Sequence, residues 1–138
     1  MNYSDEKNTQ IVIALLKKHG IRKVVASPGG TNVNFVGSIQ NDPFFEMYSA
    51  VDERSAAYTA CGLAEESGEA VVISCTGATA SRNYMPGLTE AFYRKLPILA
   101  ITSSQIYCNV AHLSAQMLDR TVVPNDVAKL SVALPVVK

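Results

Sequence analysis

Charge is scarce in this chain. Asp, Glu, Lys and Arg make up 17% of its 138 residues, against roughly 25% in an ordinary soluble domain, while the apolar set AVILMFWYC supplies 48%. Neither sign is in excess, since twelve Lys and Arg balance twelve Asp and Glu. A nucleic-acid binder shows a basic surplus or stripe, so nucleic acid is excluded as a partner. Long hydrophobic runs are missing too: none approaches the roughly 18 residues that cross a bilayer. The start, Met1 to Asn8, has neither the basic opening nor the apolar stretch of a secretion signal. Three cysteines, Cys61, Cys75 and Cys108, form no C-x-x-C pair, and an odd count fits neither a disulfide framework nor a zinc site. His19 and His112 have no acidic or Cys partner at ligand spacing. These absences describe a reduced, cytoplasmic protein with no membrane partner and no metal site of its own. A surface so short of charge implies that part of it is covered by another domain or subunit.

What is present is a regular alternation of helix-like and strand-like segments within one domain's length. Ser4 is placed to cap a first helix, with Asp5 and Glu6 in its opening turn and Gly20 as its left-handed stop. Val24-Val25-Ala26 reads as a buried strand, and a second helix runs from Thr31 or Asn32 to about Ile39, broken by Asn41-Asp42-Pro43. Phe45 to Ala50 is a strand, Glu53 to Ser67 a helix stopped by Gly68. Val71 to Cys75 is a fully apolar strand of the kind buried on both faces of a parallel sheet. A helix from about Ser81 to Arg94, a strand from Leu96 to Thr102, a short helix near Ser114 to Asp119 and a fifth strand over Lys129 to Val137 complete the reading. The fold class is α/β: an open, mostly parallel sheet with helices on both faces.

Ligands of such sheets bind beyond the carboxyl ends of the strands, which here carry three loops. Ser27-Pro28-Gly29-Gly30-Thr31-Asn32 sets two glycines before a helix, suited to an anion or to close backbone approach, and equally to a plain strand-to-helix turn. It is not G-x-G-x-x-G and lacks a P-loop lysine. Glu53 opens the third helix, where a carboxylate gains ~0.3–1 kcal/mol from the helix dipole. The small residues Ala56, Ala60, Gly62 and Ala64 that follow it would let another element pack closely. A carboxyl at the mouth of such a surface would be desolvated, raised in pKa and useful as a proton donor. Position alone does not choose between these accounts. Thr76-Gly77-Ala78-Thr79 is again strand, glycine turn and helix, with Asn83 one to two turns on. Cys61 and Cys75 read as core residues without a His partner.

Together these segments resemble the pyrimidine-binding (PYR) domain of thiamine diphosphate-dependent enzymes, in particular the acetolactate synthase group and the menaquinone-pathway enzyme that adds 2-oxoglutarate to isochorismate. The resemblance runs from about Gln10 onward. It rests on Ser27-Pro28-Gly29-Gly30, on Asp52-Glu53-Arg54-Ser55-Ala56-Ala57 with Gly62-Leu63-Ala64, on Cys75-Thr76-Gly77-Ala78-Thr79 with Asn83 and Gly87-Leu88, and on Pro97-Ile98-Leu99-Ala100-Ile101-Thr102. It implies that Glu53 is the cofactor-activating glutamate, which hydrogen-bonds N1′ of the aminopyrimidine and exchanges a proton with it. It implies further that Pro28, Gly29, Gly77 and Asn83 shape the pyrimidine pocket, and that the activity is decarboxylation or carboligation of a small 2-oxoacid.

Two departures stand out. The menaquinone enzyme follows Ser-Pro-Gly with Ser-Arg-Ser, where this chain has Gly30-Thr31-Asn32. The family's diphosphate-binding (PP) domain carries Gly-Asp-Gly and a later Asn that hold Mg²⁺ and the diphosphate, and no Gly-Asp-Gly occurs here. The resemblance therefore implies a PYR domain lacking its last helix and strand, inactive alone, working with a PP domain of the same or another polypeptide in a homo-oligomer (dimer or tetramer). A non-catalytic Rossmann- or flavodoxin-like module holding a nucleotide or phosphate, and a domain used only for assembly, are the alternative readings.

Overall fold

Short apolar runs separated by glycine and proline turns set the architecture. The computed structural model describes residues 3–103, 115 and 120–137. In it α1 (Lys7–Lys18) leads to β1 (Lys23–Ala26), α2 (Val33–Ile39), β2 (Glu46–Ser49), α3 (Glu53–Ser67), β3 (Val71–Cys75), α4 (Ala78–Asn83), α5 (Met85–Arg94) and β4 (Ile98–Thr102). The strands pair in parallel in the order β2-β1-β3-β4. The chain steps outward from β1 to β2, and α3 then carries it back past β1 to β3. That reversal opens a crevice at the carboxyl ends of β1 and β3, where open α/β sheets take their ligands.

Successive strand residues point to opposite faces, so the core divides in two. Val24, Ala26 and Val72 pack with Ile13, Leu16, Phe35, Val36, Ile39 and Phe45 on the α1 and α2 side. Val25, Val71, Ile73 and Cys75 pack with Ala56, Ala57, Ala60, Ala64 and Tyr84 on the other. Every residue of β3 is buried, including Ser74, whose Oγ accepts from Asn32 Nδ2. Gly20 and Gly68, at φ +68° and +69°, end their helices in the left-handed region. Among the described residues no helix is long and apolar enough to cross a membrane.

The structure departs from the sequence reading in three places. The first helix starts at Lys7 with Glu6, not Ser4, as N-cap: Glu6 Oε2 accepts from Thr9 Oγ1 at 2.7 Å, and Ser4 Oγ only caps the turn before it, accepting from Glu6 N at 3.2 Å. The helix expected from Ser81 begins at Ala78 and divides at Tyr84 into α4 and α5, because Pro86 in the first turn of α5 has no N–H to continue the ladder. Lys129 to Val137 is not a strand. Its backbone bonds instead to α1, where Asn8 Nδ2 donates to Pro135 O at 2.7 Å and Val137 N donates to Asn8 Oδ1 at 3.2 Å, and Pro135 cannot donate to a ladder. The small residues of α3 let another element pack closely, as expected, and that element is α5 of this chain. Ala56, Ala60 and Ala64 are buried in the core of this chain, and Ala57 meets Gly87 of α5. The short helix expected near Ser114 to Asp119 lies, Ala115 apart, outside the described residues, as does Cys108.

Candidate functional site

The first wall of the crevice is the loop after β1. Its form is dictated by Asn32, buried at the N-terminus of α2. The Asn32 amide accepts from Gly29 N at 2.8 Å through Oδ1, and its Nδ2 donates to Ser27 O at 3.2 Å and Ser74 Oγ at 3.3 Å. Ser27 N donates to Ser74 O at 2.8 Å, so the ends of β1 and β3 are stitched together. Gly29 lies against the loop after β3: a Cβ built there would stand 2.3 Å from Thr76 Cγ2. Close approach, rather than an unusual φ, is what demands glycine. Pro28 is exposed on the rim.

The second wall is the start of α3. Asp52 is the N-cap, accepting from Ser55 N at 2.8 Å and Ser55 Oγ at 2.7 Å, and those bonds hold its carboxyl below the usual range. Capping is therefore carried by Asp52, and Glu53 is left free to face the crevice. Glu53, partly buried, accepts from Asn83 Nδ2 at 3.4 Å through Oε2. Asn83 also reaches Thr79 O at 3.5 Å, a contact within α4 that fixes the amide beside the carboxylate. Gly77, the N-cap of α4, accepts from Ser81 N at 3.2 Å. Two predicted residues, Glu53 and Asn83, are thus in contact. Pro28, Gly29 and Gly77 belong to the facing strand-end loops, joined where Gly29 meets Thr76.

The floor is polar and buried. Tyr84 OH and Ser27 Oγ are fully buried with no hydrogen-bond partner among the described residues, an arrangement that usually costs about 1–3 kcal/mol per group. Cys75 lies beside them. Burial pushes its thiol up to about 11, with the Tyr84 hydroxyl and Arg120 working against that rise and the Glu53 carboxylate adding to it. The Tyr84 phenol is driven far above its ordinary value, chiefly by burial. A thiol so raised stays protonated at neutral pH, which suits a core role and not nucleophilic attack.

One residue of the rim escaped the sequence reading. Arg120 Nη1 donates to Ser81 Oγ at 3.3 Å and Nη2 donates to Ser103 O, while Ser103 Oγ and Thr31 Oγ1 lie 2.6 Å apart. Arg120 sits in a stretch without motif or clear periodicity, so no local pattern marks it. Only the fold brings it to the strand ends.

Comparison with known proteins agrees with this geometry. Residues 7–123 match the model of the family described as thiamine pyrophosphate enzyme, N-terminal TPP binding domain. The chain is 46% identical over 104 residues to the 2-succinyl-5-enolpyruvyl-6-hydroxy-3-cyclohexene-1-carboxylate synthase of Porphyromonas gingivalis, covering 75% of this chain and 18% of that protein. It is 38% identical over 133 residues to the synthase of the same name from Phocaeicola vulgatus, covering 96% of this chain and 24% of the relative. It therefore spans about a quarter or less of the length of these curated relatives. Among solved structures, the thiamine diphosphate-dependent 4-hydroxybenzoylformate decarboxylase of Rhodococcus jostii superposes with a TM-score of 0.72 at 20% identity, over 81% of this chain and 21% of the decarboxylase. The benzoylformate decarboxylase of Polynucleobacter necessarius gives 0.69 at 24%, over 79% of this chain and 20% of that one. At those identities the two structures speak for the fold alone.

Proposed function

Because this chain belongs to the family of thiamine pyrophosphate enzyme N-terminal TPP binding domains, we propose that it supplies the PYR half of a thiamine diphosphate-dependent 2-oxoacid decarboxylase or carboligase. Its catalytic residue is Glu53. The observation that carries this reading is the release of Glu53 from capping duty: Asp52 takes that role, leaving a carboxylate at the carboxyl ends of the strands with the Asn83 amide beside it.

The residues present fit the cofactor's aminopyrimidine. An ionisable oxygen stands at the mouth, glycine loops draw the walls together, and two hydroxyls buried in the floor have no hydrogen-bond partner among the described residues. Thiamine diphosphate, when bound, supplies the electron sink that decarboxylation of a 2-oxoacid requires. Glu53 holds and releases a proton at the ring nitrogen that meets Oε1 or Oε2, and Asn83 keeps the carboxylate aimed. Pro28, Gly29 and Gly77 form the backbone walls that set ring and carboxylate in register and exclude water. A PP domain, of this or another polypeptide, holds Mg²⁺ and the diphosphate and closes the open side, within a cytoplasmic homo-oligomer. The synthase relatives favour carboligation, with an acidic, succinyl-donating 2-oxoacid as the substrate to try first.

Glu53→Gln, made in the protein that joins this chain to its PP domain, is expected to keep thiamine diphosphate bound and lower turnover by about 100-fold or more, the usual scale for a lost proton-transfer group. Steady-state kinetics with calorimetric cofactor binding reads both. Full turnover in that variant would overturn the assignment.

A further inference from the structure

Two hydroxyls in the floor break the rule that buried polar groups are paired. Tyr84 OH and Ser27 Oγ are fully buried, and neither has a hydrogen-bond partner among the described residues. Phenylalanine and alanine would fill the same two places without leaving a polar atom unpaired. Departures of this kind gather at functional sites.

The two hydroxyls face one another. The ladder between β1 and β3 runs on past Ala26, because Ser27 N donates to Ser74 O at 2.8 Å, and side chains alternate along it. Ser27 therefore continues the face of Val25, which packs with Cys75 and Tyr84 on the α3 side of the sheet. Burial drives the Tyr84 phenol above its ordinary value, and Cys75 and Ser27 both lie close enough to act on that ionisation. A hydroxyl both donates and accepts, so these two suit each other, and a small approach would satisfy both. What each is attached to gives that approach its meaning. Ser27 opens the glycine loop of the first wall, its carbonyl held by Asn32 Nδ2. Tyr84 joins α4 to α5 and directly follows Asn83, whose amide meets Glu53. Bringing Tyr84 OH onto Ser27 Oγ moves the end of α4 toward the glycine loop and narrows the crevice.

We propose that Tyr84 and Ser27 form a latch for the cofactor site: as the crevice closes on the aminopyrimidine, Tyr84 OH comes to donate to Ser27 Oγ, and this bond stabilises the occupied state. Both are positioning residues, because they act on the ring through the walls that they hold. A ligand shifts an equilibrium only by its differential affinity for the two states, and the bond made on closure contributes to that difference. This rests on the reading of the chain as the PYR half of a thiamine diphosphate enzyme.

The test is a double-variant cycle of Tyr84→Phe and Ser27→Ala, made in the protein that joins this chain to its PP domain and freed of cofactor. Calorimetric titration with thiamine diphosphate and Mg²⁺ gives affinities, and thermal unfolding of the cofactor-free proteins gives Tm. Each single variant is expected to bind the cofactor about three- to ten-fold more weakly, the scale of one neutral hydrogen bond. The double variant should bind no more than about two-fold more weakly than either single one. Cofactor-free Tm should not fall in any of the three, because the bond is unmade there. A lowered Tm with unchanged affinities would overturn the proposal, since the two residues would then serve the fold alone. Losses of affinity that multiply in the double variant would overturn it too. So would non-additive losses of Tm in the cofactor-free proteins, which would mean that the hydroxyls are joined, directly or through a water, before the cofactor arrives. A parent protein that binds no thiamine diphosphate would overturn this inference and the reading of the chain together, whereas cofactor binding without coupling between the two variants overturns the inference alone.

Discussion

Gly29 has no side chain because Thr76 occupies the space that one would need. The clash is with a single methyl, Thr76 Cγ2, at 2.3 Å from the added Cβ, with the next atom at 3.6 Å. Gly29→Ala should therefore cost about 1–3 kcal/mol of stability, the range for overpacking a close contact. Thr76→Ser removes that methyl, so the double variant should recover most of the loss. A cycle of denaturant unfolding measurements isolates the coupling, and additive losses would mean that the alanine is rejected for another reason. The same two loops wall the candidate cofactor site, so Gly29→Ala should also weaken cofactor binding where Glu53→Gln does not. The neighbouring pair Asp52 and Glu53 illustrates division of labour between adjacent carboxylates. One satisfies the backbone at the helix start, and the other accepts from the Asn83 amide across the crevice.

At the scale of elements, the contact between α3 and α5 is the tightest helix pair around the site. A Cβ on Gly87 would lie 2.5 Å from Ala57 Cβ and 3.1 Å from the Ala57 carbonyl carbon, and backbone cannot rotate away as a methyl can. Cys61 Sγ donates to Gly87 O at 3.3 Å across the same seam. Gly87→Ala gains up to ~1 kcal/mol in helix propensity, yet the net effect should be a loss of about 1–3 kcal/mol with α5 displaced. Urea unfolding reads the loss, and a gain in stability would mean that the helices can part freely. Displacing α5 would move Tyr84 and with it the end of α4 that carries Asn83, so the same change should loosen the carboxylate–amide contact. Much of this layer was legible from the chain. The apolar runs Val24 to Ala26 and Val71 to Cys75, the stop at Gly68 and the helix opening at Glu53 are written in local pattern, and the structure places them as expected. The division at Tyr84 followed from Pro86, a signal that was present and passed over. Lys129 to Val137 is not a strand because alternation of apolar residues marks one only where the segment pairs with a sheet edge, and here its backbone bonds to Asn8 of α1 instead. Arg120 was invisible because its partners, Ser81 and Ser103, are distant in sequence and meet only in the fold.

For the molecule as a whole, an ion pair between a buried carboxylate and an exposed ammonium joins three distant segments. The Asp42 carboxylate, in the turn between α2 and β2, accepts from Tyr3 OH and from Phe44 N at 3.0 Å, and pairs with Lys17 Nζ of α1 at 2.6 Å. Lys17 also approaches the Tyr3 hydroxyl at 3.1 Å and lies over the ring of Phe44. Burial alone would raise the Asp42 carboxyl, but the bonds from Lys17, Tyr3 and Phe44 outweigh it and hold the group at about 2, below its ordinary 3.8. The sign follows directly: as pH falls, the unfolded chain takes up this proton before the folded one does, so stability is full above 3.8 and drains away as pH drops toward about 2. The network lies on the α1 and α2 side of the sheet, away from the α3 and α5 side that carries Glu53 and Asn83. Asp42→Asn should cost about 1–3 kcal/mol at neutral pH and flatten the acid limb of the stability curve, leaving cofactor affinity of the folded protein unchanged. Denaturant melts across that pH range, paired with calorimetric cofactor binding at neutral pH, measure both. An acid limb equally steep without Asp42 would assign the acid lability to other carboxylates, of which Asp52 and Glu69, also held below their usual range, are the next to replace.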